Sequence, residues 1–125
     1  MIAISVAAQI EWNATKQYYG ITEVKKTIYG EYFYQTINNQ KTIFYMCGTR
    51  KMCSSGAVQY MIDKFNIDKV IVVGTCAGID KNFKELDVIL PQKAVQYDCT
   101  VRELEPLIKN SFSVDFDLSN DIGIK

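Results

Sequence analysis

An apolar stretch that runs directly into a glycine-containing turn is the feature that most constrains the fold of this chain. The stretch is Val70-Ile71-Val72-Val73, and the turn is Gly74-Thr75-Cys76-Ala77-Gly78. Four consecutive apolar residues are typical of a strand buried on both faces of a parallel sheet. In such sheets ligands bind beyond the carboxyl ends of the strands, and small residues let backbone N–H groups approach them. The segment predicts an α/β fold with either a ligand-binding turn or a tight structural turn here.

A second apolar stretch, from Ile2 to Ala8, predicts another buried strand. The residues from Glu11 to Tyr19 can form a helix, and Gly20 should end it, since glycine is typical at helix ends. Glu11 then lies just beyond a strand, where a partly desolvated carboxylate can act as a general base on water. The structural alternative is an acidic residue that interacts favourably with the dipole of its helix.

The rest of the chain alternates between strand and helix patterns. Ala57, Met61 and Phe65 repeat at helical spacing and form one apolar stripe. The predicted elements are strands at Val24–Tyr29, Glu31–Ile37, Lys41–Cys47, Asp87–Leu90 and Ala94–Tyr97, helices at Lys51–Phe65 and Glu103–Lys109, and a turn at Asn38–Gln40. No clear period continues from Phe112 to Lys125. Strands alternating with helices around a hairpin predict a mixed sheet in one domain spanning residues 1–125.

Charge and hydropathy narrow the class of partner. The 14 basic and 14 acidic residues balance, which gives no electrostatic reason to expect nucleic acid or an anionic membrane as a partner. No apolar run is long enough to span a bilayer, and the N-terminus lacks the features of a signal peptide. We therefore expect a cytoplasmic protein.

Histidine and cysteine content restricts the chemistry. The chain has no histidine, which excludes a Ser-His or Cys-His nucleophile within it and leaves a carboxylate as the best candidate for a general acid or base. Its four cysteines, at positions 47, 53, 76 and 99, contain no CxxC pair. We expect reduced thiols, no metal site and no cofactor.

Taken in order, four segments resemble motifs of the methylthioadenosine/S-adenosylhomocysteine nucleosidases, which belong to the purine nucleoside phosphorylase superfamily. They are Ala7–Glu11 after the first strand, Gly48–Ala57 at the start of the long helix, Val70–Gly78, and the pair Asp87–Leu90 and Ala94–Asp98. Order and spacing agree from Met1 to about Asp98. The resemblance implies the N-terminal part of a three-layer αβα fold with a mixed central sheet.

The resemblance also implies roles for individual residues. The glutamate that matches Glu11 helps to activate the attacking water in these nucleosidases. Thr49 stands where an aliphatic residue usually packs near the sugar, and Arg50 replaces a residue that is usually small. The residues that match substrate-contacting positions are Ala7, Ala8, Thr49, Thr75, Cys76, Ala77 and Gly78.

Two departures from the phosphorylases of this superfamily favour water as the nucleophile. Hexameric phosphorylases typically carry a phosphate-binding arginine where this chain has Val72, and a Gly-Asp-Pro-x-Arg segment that is absent here. A phosphate dianion without such arginines would be poorly stabilised. The resemblance therefore implies hydrolysis of the N-glycosidic bond of a purine nucleoside such as methylthioadenosine or S-adenosylhomocysteine.

Other functions stay open. They are a phosphorolytic nucleoside phosphorylase, a non-catalytic nucleoside-binding relative with the same fold, and an unrelated α/β nucleotide-binding domain. The family's Met-Glu-x-Glu segment and Ser-Asp pair are not found in these 125 residues. We therefore expect residues 1–125 to be inactive by themselves, and, since the family nucleosidases pair through this half, we expect a homodimer.

Overall fold

The computed structural model describes residues 1–96 and 113–115. The chain divides into two compact units, Met1–Ala77 and Gly78–Lys125. The first unit contains β1 (Ile2–Val6), α1 (Gln9–Tyr18), β2 (Lys25–Lys26), β3 (Glu31–Ile37), β4 (Gln40–Met46), α2 (Lys51–Phe65) and β5 (Lys69–Val73). The second unit contains two short antiparallel strands, β6 (Lys93–Val95) and β7 (Ser113–Asp115).

The five strands of the first unit form a mixed sheet in the order β2-β3-β4-β1-β5. Strand β1 lies between β4 and β5 and runs parallel to both, with Val6 in register with Met46 and Val73. The β3–β4 pair is the predicted hairpin, and Asn38 and Asn39 at its turn have φ of 49° and 62°. The carboxyl ends of β4, β1 and β5 therefore lie at one edge of the sheet.

The two helices cover opposite faces of this sheet. Ala57 and Met61 of α2 pack against Ala3, Ile43 and other buried residues on one face. Trp12 of α1 packs on the other face with Val6, Phe33 and Phe44, where the rings of Phe33 and Phe44 stack with centroids 5.0 Å apart. The predicted αβα layering is confirmed. In the part of the chain that the structure describes, no helix combines the length and apolar character needed to cross a bilayer.

The prediction that Val70–Val73 is buried on both faces is wrong. Val72 is 76% exposed and Val73 is 51% exposed. The reason is the position of β5, which ends the sheet and pairs with β1 along one side among the described residues. An unbroken apolar run predicts a strand correctly, but its burial depends on what packs over it.

The strand predicted over Val24–Tyr29 is shortened to Lys25–Lys26. A turn interrupts it, in which the Thr27 amide donates to the Gly30 carbonyl at 2.7 Å. The Thr27 hydroxyl oxygen accepts hydrogen bonds from the amides of Tyr29 and Gly30 at 3.0 and 3.1 Å. Threonine side chains stabilise turns in this way and thereby compete with strand pairing.

The strand predicted over Asp87–Leu90 is not formed. Asp87 instead ends a turn, since its carboxylate accepts from the Lys84 amide at 2.8 Å and its amide donates to the Lys84 carbonyl at 3.2 Å. The strand predicted at Ala94–Tyr97 appears as β6, shifted toward the N-terminus. The partner β7 was not predicted. The predicted helix at Glu103–Lys109, Cys99 and the last residues of the Ala94–Asp98 motif lie outside the described residues.

Candidate functional site

Three connections meet at the carboxyl edge of the five-stranded sheet. Ala7 and Ala8 follow β1, the residues from Gly48 to Arg50 follow β4, and the turn that begins at Gly74 follows β5. Because β1 is parallel to both neighbours, these connections leave the sheet in the same direction. This is the edge at which ligands bind in sheets of parallel strands.

Glu11 is held at the start of α1 by a hydrogen bond within its own helix. The Ala8 amide, at the residue before the helix, donates to Glu11 Oε2 at 3.1 Å. That amide would otherwise lack a partner, because the first N–H groups of a helix have no carbonyl to reach. This contact of Oε2 agrees with the structural alternative for Glu11, in which the carboxylate interacts favourably with the start of its own helix.

The other oxygen is engaged from a distant part of the chain. The Thr75 amide donates to Glu11 Oε1 at 2.7 Å, and the Thr75 hydroxyl donates to the same oxygen at 2.8 Å. The two residues are 64 positions apart in the sequence. Gly74 also lies close, since a Cβ added there would stand 3.4 Å from Oε1. Helix capping explains none of these contacts, so the carboxylate links β1 and β5 at their carboxyl ends.

These hydrogen bonds lower the pKa of Glu11 from its ordinary value of 4.5. The Thr75 amide makes the largest contribution, followed by the Thr75 hydroxyl and the Ala8 amide, while burial acts in the opposite direction. Donors that stabilise the charged form of a carboxyl group always act in this sense. Glu11 is therefore ionised at neutral pH.

An ionised carboxylate has about four acceptor positions, two on each oxygen. Thr75 fills both positions of Oε1, and Ala8 fills one position of Oε2. Among residues 1–96 and 113–115 no other group donates to this carboxylate, so one position on Oε2 is left. Such an oxygen can accept a hydrogen bond from one water molecule and can take its proton as the water attacks an electrophile.

The model of the phosphorylase superfamily matches residues 2–122. This chain belongs to the phosphorylase superfamily. No curated protein matches the chain.

Solved structures of methylthioadenosine nucleosidases and of a futalosine hydrolase share the fold. A mutant of the Helicobacter pylori methylthioadenosine nucleosidase with 5′-methylthioadenosine in its active site has a TM-score of 0.81 at 18% identity, over 97% of this chain and 55% of that one. The Campylobacter jejuni methylthioadenosine/S-adenosylhomocysteine nucleosidase has a TM-score of 0.75 at 16% identity, and the match covers 99% of this chain and 60% of that one. A futalosine hydrolase mutant from H. pylori has a TM-score of 0.74 at 18% identity, and the match covers 99% of this chain and 63% of that one. The chain spans little more than half the length of these structures.

The structure places the other residues singled out by the superfamily resemblance in different surroundings. Ala7 is half-buried against the core beneath α2, and Thr49 is exposed in the connection after β4. Cys76 and Ala77 are exposed directly after Thr75. Gly78 belongs to the second unit, where a Cβ added to it would meet the Phe83 side chain at 3.1 Å. Their roles in substrate binding stay predictions.

The structure also describes the thiols and the neighbourhood of α2. Cys47 is buried, while Cys53 and Cys76 are exposed, and all three are free thiols. Arg50 immediately precedes α2 in an extended conformation, without a side-chain hydrogen bond that caps the helix. Among residues 1–96 and 113–115, no three His, Cys, Asp or Glu side chains are grouped as a metal site would require.

Sequence reasoning singled out Glu11 and Thr75 separately and missed that they contact each other. A signal was present, since both residues follow apolar strands and the carboxyl ends of parallel strands share one edge. The pattern does not reveal that β5 lies directly beside β1 with Val73 in register with Val6. That register brings the two side chains within hydrogen-bond distance.

Proposed function

We propose that this chain is part of a nucleosidase that hydrolyses the N-glycosidic bond of a purine nucleoside, such as methylthioadenosine or S-adenosylhomocysteine. Glu11 is the general base of this reaction. The observation that carries the proposal is the ionised Glu11 carboxylate with one open acceptor position at the ligand-binding edge of the sheet. The nucleoside-cleaving enzymes among the structures of the same fold support the choice of bond.

The proposed reaction balances with water alone. The water oxygen bonds to the anomeric carbon of the sugar, and the bond from that carbon to the base nitrogen breaks with its electron pair on the base. Glu11 Oε2 takes a proton from the water, and the leaving base takes up a proton from an acid elsewhere. Because Glu11 is occupied on the side of the water, it does not also protonate the base.

The proposal assigns the remaining edge residues to the substrate. Ala7 and Ala8 line the pocket next to Glu11, and Thr49 lies near the sugar. Cys76 and Ala77 border the nucleoside beyond Thr75. Since the chain spans 55–63% of the matched nucleosidase and hydrolase structures, we expect residues 1–125 by themselves to turn over far more slowly than about one per second.

Phosphorolysis is the alternative, and Arg50 favours it. Its guanidinium group belongs to the connection after β4, at the same edge as Glu11, and arginine is well suited to binding phosphate. Val72, where the phosphorylases carry an arginine, favours hydrolysis. Dependence of base release on phosphate decides between the two reactions.

The proposal is tested on the protein completed with the C-terminal part that the matched structures have, by incubating it with methylthioadenosine and measuring adenine release with and without phosphate. We expect release that is independent of phosphate, and a strict requirement for phosphate would establish the alternative. Binding is followed separately by NMR, where the amide signals of Ala8 and Thr75 should shift on addition of the nucleoside while those of Lys93–Val95 should not. The absence of both adenine release and shifts at Ala8 and Thr75 would contradict the proposal.

The proposal includes a cytoplasmic protein of purine nucleoside and methionine salvage that forms a homodimer. Met52, an apolar residue exposed at the start of α2, supports a pairing surface on this helix. We expect light scattering to give the mass of a dimer at micromolar concentration. A monomer under those conditions would contradict this part of the proposal without affecting the rest.

A further inference from the structure

Thr75 places both of its hydrogen-bond donors on a single oxygen of Glu11. Resemblance assigned Thr75 to nucleoside binding, but its hydroxyl proton is already directed at Glu11, which leaves only the acceptor positions of that hydroxyl for a ligand. We propose that Thr75 is a positioning residue that fixes the Glu11 carboxylate, so that its open acceptor position on Oε2 is presented to the attacking water. This inference rests on the nucleosidase function proposed above.

The fixing acts through two separate elements. Ala8 holds Oε2 from the start of α1, and Thr75 holds Oε1 from the turn after β5. A rotation of the carboxylate about its last side-chain bond would break the bonds at both oxygens. A general base contributes fully only when it is held within hydrogen-bond reach of the proton it accepts. The Thr75 hydroxyl is the part of this arrangement that a substitution can remove without altering the backbone.

Charged neighbours do not explain the state of Glu11. The other titratable side chains on the surrounding elements are Lys16 and Tyr18 on α1, Lys41 and Tyr45 on β4, Cys47 and Arg50 after β4, Lys69 on β5, Cys76 beside Thr75, and Lys51, Cys53, Tyr60, Asp63 and Lys64 on α2. None of them contributes to the lowered pKa of Glu11, whose causes are the bonds from Thr75 and Ala8. Lys16 is paired with Glu31 at 3.2 Å. Removing the Thr75 hydroxyl should therefore act on Glu11 through the hydrogen bond itself.

The experiment compares Thr75→Val, which removes the hydroxyl donor at nearly constant shape, with Thr75→Ser, which keeps it. The side-chain carboxyl carbons of glutamate are labelled with ¹³C, and NMR follows their titration with pH in the purified chain without substrate. The signal that disappears in Glu11→Gln identifies Glu11. We expect the pKa of Glu11 to rise toward the ordinary glutamate value in Thr75→Val and to stay near the native value in Thr75→Ser.

Thr15 offers a matched control. Its hydroxyl donates to the backbone carbonyl of Glu11 at 2.8 Å and does not bond to the carboxylate. Thr15→Val therefore removes a hydroxyl next to the same residue and should leave the Glu11 titration unchanged. Circular dichroism of each variant shows whether the fold is retained, and Thr75 is exposed, so its substitution should not disturb the core.

A second measurement links the titration to the reaction. Where adenine release is observed, the acidic limb of kcat against pH should move to higher pH in Thr75→Val, because the base is protonated earlier as pH falls, and Thr75→Ser should restore it. An unchanged Glu11 pKa in a folded Thr75→Val protein overturns the inference, whether or not the protein hydrolyses nucleosides. A raised pKa supports it, and a failure of adenine release in the protein completed with its C-terminal part counts against the proposed function alone.

Discussion

Two apolar stretches with the same sequence character have opposite outcomes in this protein. Ile2–Val6 forms an inner strand of the first unit's sheet, with β4 on one side and β5 on the other. Val88, Ile89 and Leu90 in the second unit form no strand and are exposed, Val88 at 90%. The difference shows that an apolar run becomes a buried strand only where neighbouring strands can satisfy its backbone N–H and C=O groups.

A carboxylate in each unit shows a related difference, between hydrogen bonds to nearby and to distant residues in the sequence. Asp87 accepts a hydrogen bond from an amide three residues away, so it stabilises a local turn. Glu11 accepts two from Thr75, 64 residues away, so its position depends on the whole sheet. Long-range contacts thus hold the first unit and its candidate site, and substitutions there should have larger effects than matched substitutions in the second unit.

The largest effect is expected from Trp12→Ala. Trp12 is fully buried, its ring packs against Phe33, and its indole N–H donates to Glu31 at 2.8 Å. Removing a buried tryptophan costs about 3–5 kcal/mol of unfolding free energy. The matched substitution Leu86→Ala removes a side chain that is 93% exposed and should change this free energy by less than about 0.5 kcal/mol. Urea denaturation measures both, and equal losses would remove the distinction between the units.

The next effect is expected from Glu11→Gln. In the protein completed with its C-terminal part, loss of the proposed base should lower turnover about a hundredfold, which corresponds to about 2.7 kcal/mol of activation free energy. Binding of the nucleoside should be retained, because the amide keeps the size of the carboxylate. Asp87→Asn is the control, since it removes a carboxylate with a comparable backbone hydrogen bond and should leave turnover unchanged. Full turnover in Glu11→Gln would show that Glu11 is not the general base and only stabilises the start of α1.

A smaller effect is expected from Glu31→Gln. The indole of Trp12, followed by Lys16, lowers the pKa of the Glu31 carboxyl from 4.5 against the effect of burial. A carboxyl with a lowered pKa stabilises the folded state above its unfolded pKa, and this contribution is lost as pH falls through the folded pKa. Unfolding free energy should therefore decline with falling pH below about 4.5, and less steeply in Glu31→Gln.

Glu31→Gln should also lower the unfolding free energy by about 1 kcal/mol at neutral pH, because the substitution weakens a charge-assisted hydrogen bond. Its counterpart is Asp115→Asn in the second unit, where Asp115 pairs with Lys93 at 3.5 Å and both side chains are largely exposed. Exposed ion pairs contribute little, so Asp115→Asn should not alter the acid dependence. Identical acid profiles for native protein and Glu31→Gln would contradict the prediction.

The smallest effect is expected at backbone positions with positive φ. Asn39, at the hairpin turn, has a φ of 62°, and Leu86 has a φ of 73°. Glycine adopts this conformation at lower cost, and Asn-Gly is the preferred sequence for such hairpin turns. Asn39→Gly should raise unfolding free energy by less than about 1 kcal/mol. Leu86→Gly should raise protection of its neighbours from hydrogen exchange and leave urea denaturation of the sheet unchanged. A loss of stability in Asn39→Gly would show that the Asn39 side chain contributes more than its conformation costs.

Local patterns predicted most elements of the first unit. The stripe of Ala57, Met61 and Phe65 predicted α2 with its observed bounds, and aromatic and β-branched residues predicted β3. These predictions succeeded because helical and strand periodicities are set by residues close in sequence. Predictions at Val24–Tyr29 and Asp87–Leu90 were wrong where turn hydrogen bonds, at Thr27 and Asp87, competed with strand pairing.

The sequence by itself determined the fold class, the superfamily motifs, and the two turns that could carry a ligand site. Only the tertiary structure decided that β5 lies at the edge of the sheet, which exposes Val72, and that Thr75 donates twice to Glu11. The physical reason is that strand order and register are set by contacts between residues far apart in the chain. Spacing along the sequence places Glu11 and Thr75 after two strands, whereas hydrogen bonds between those strands place the hydroxyl of one residue 2.8 Å from the carboxylate of the other.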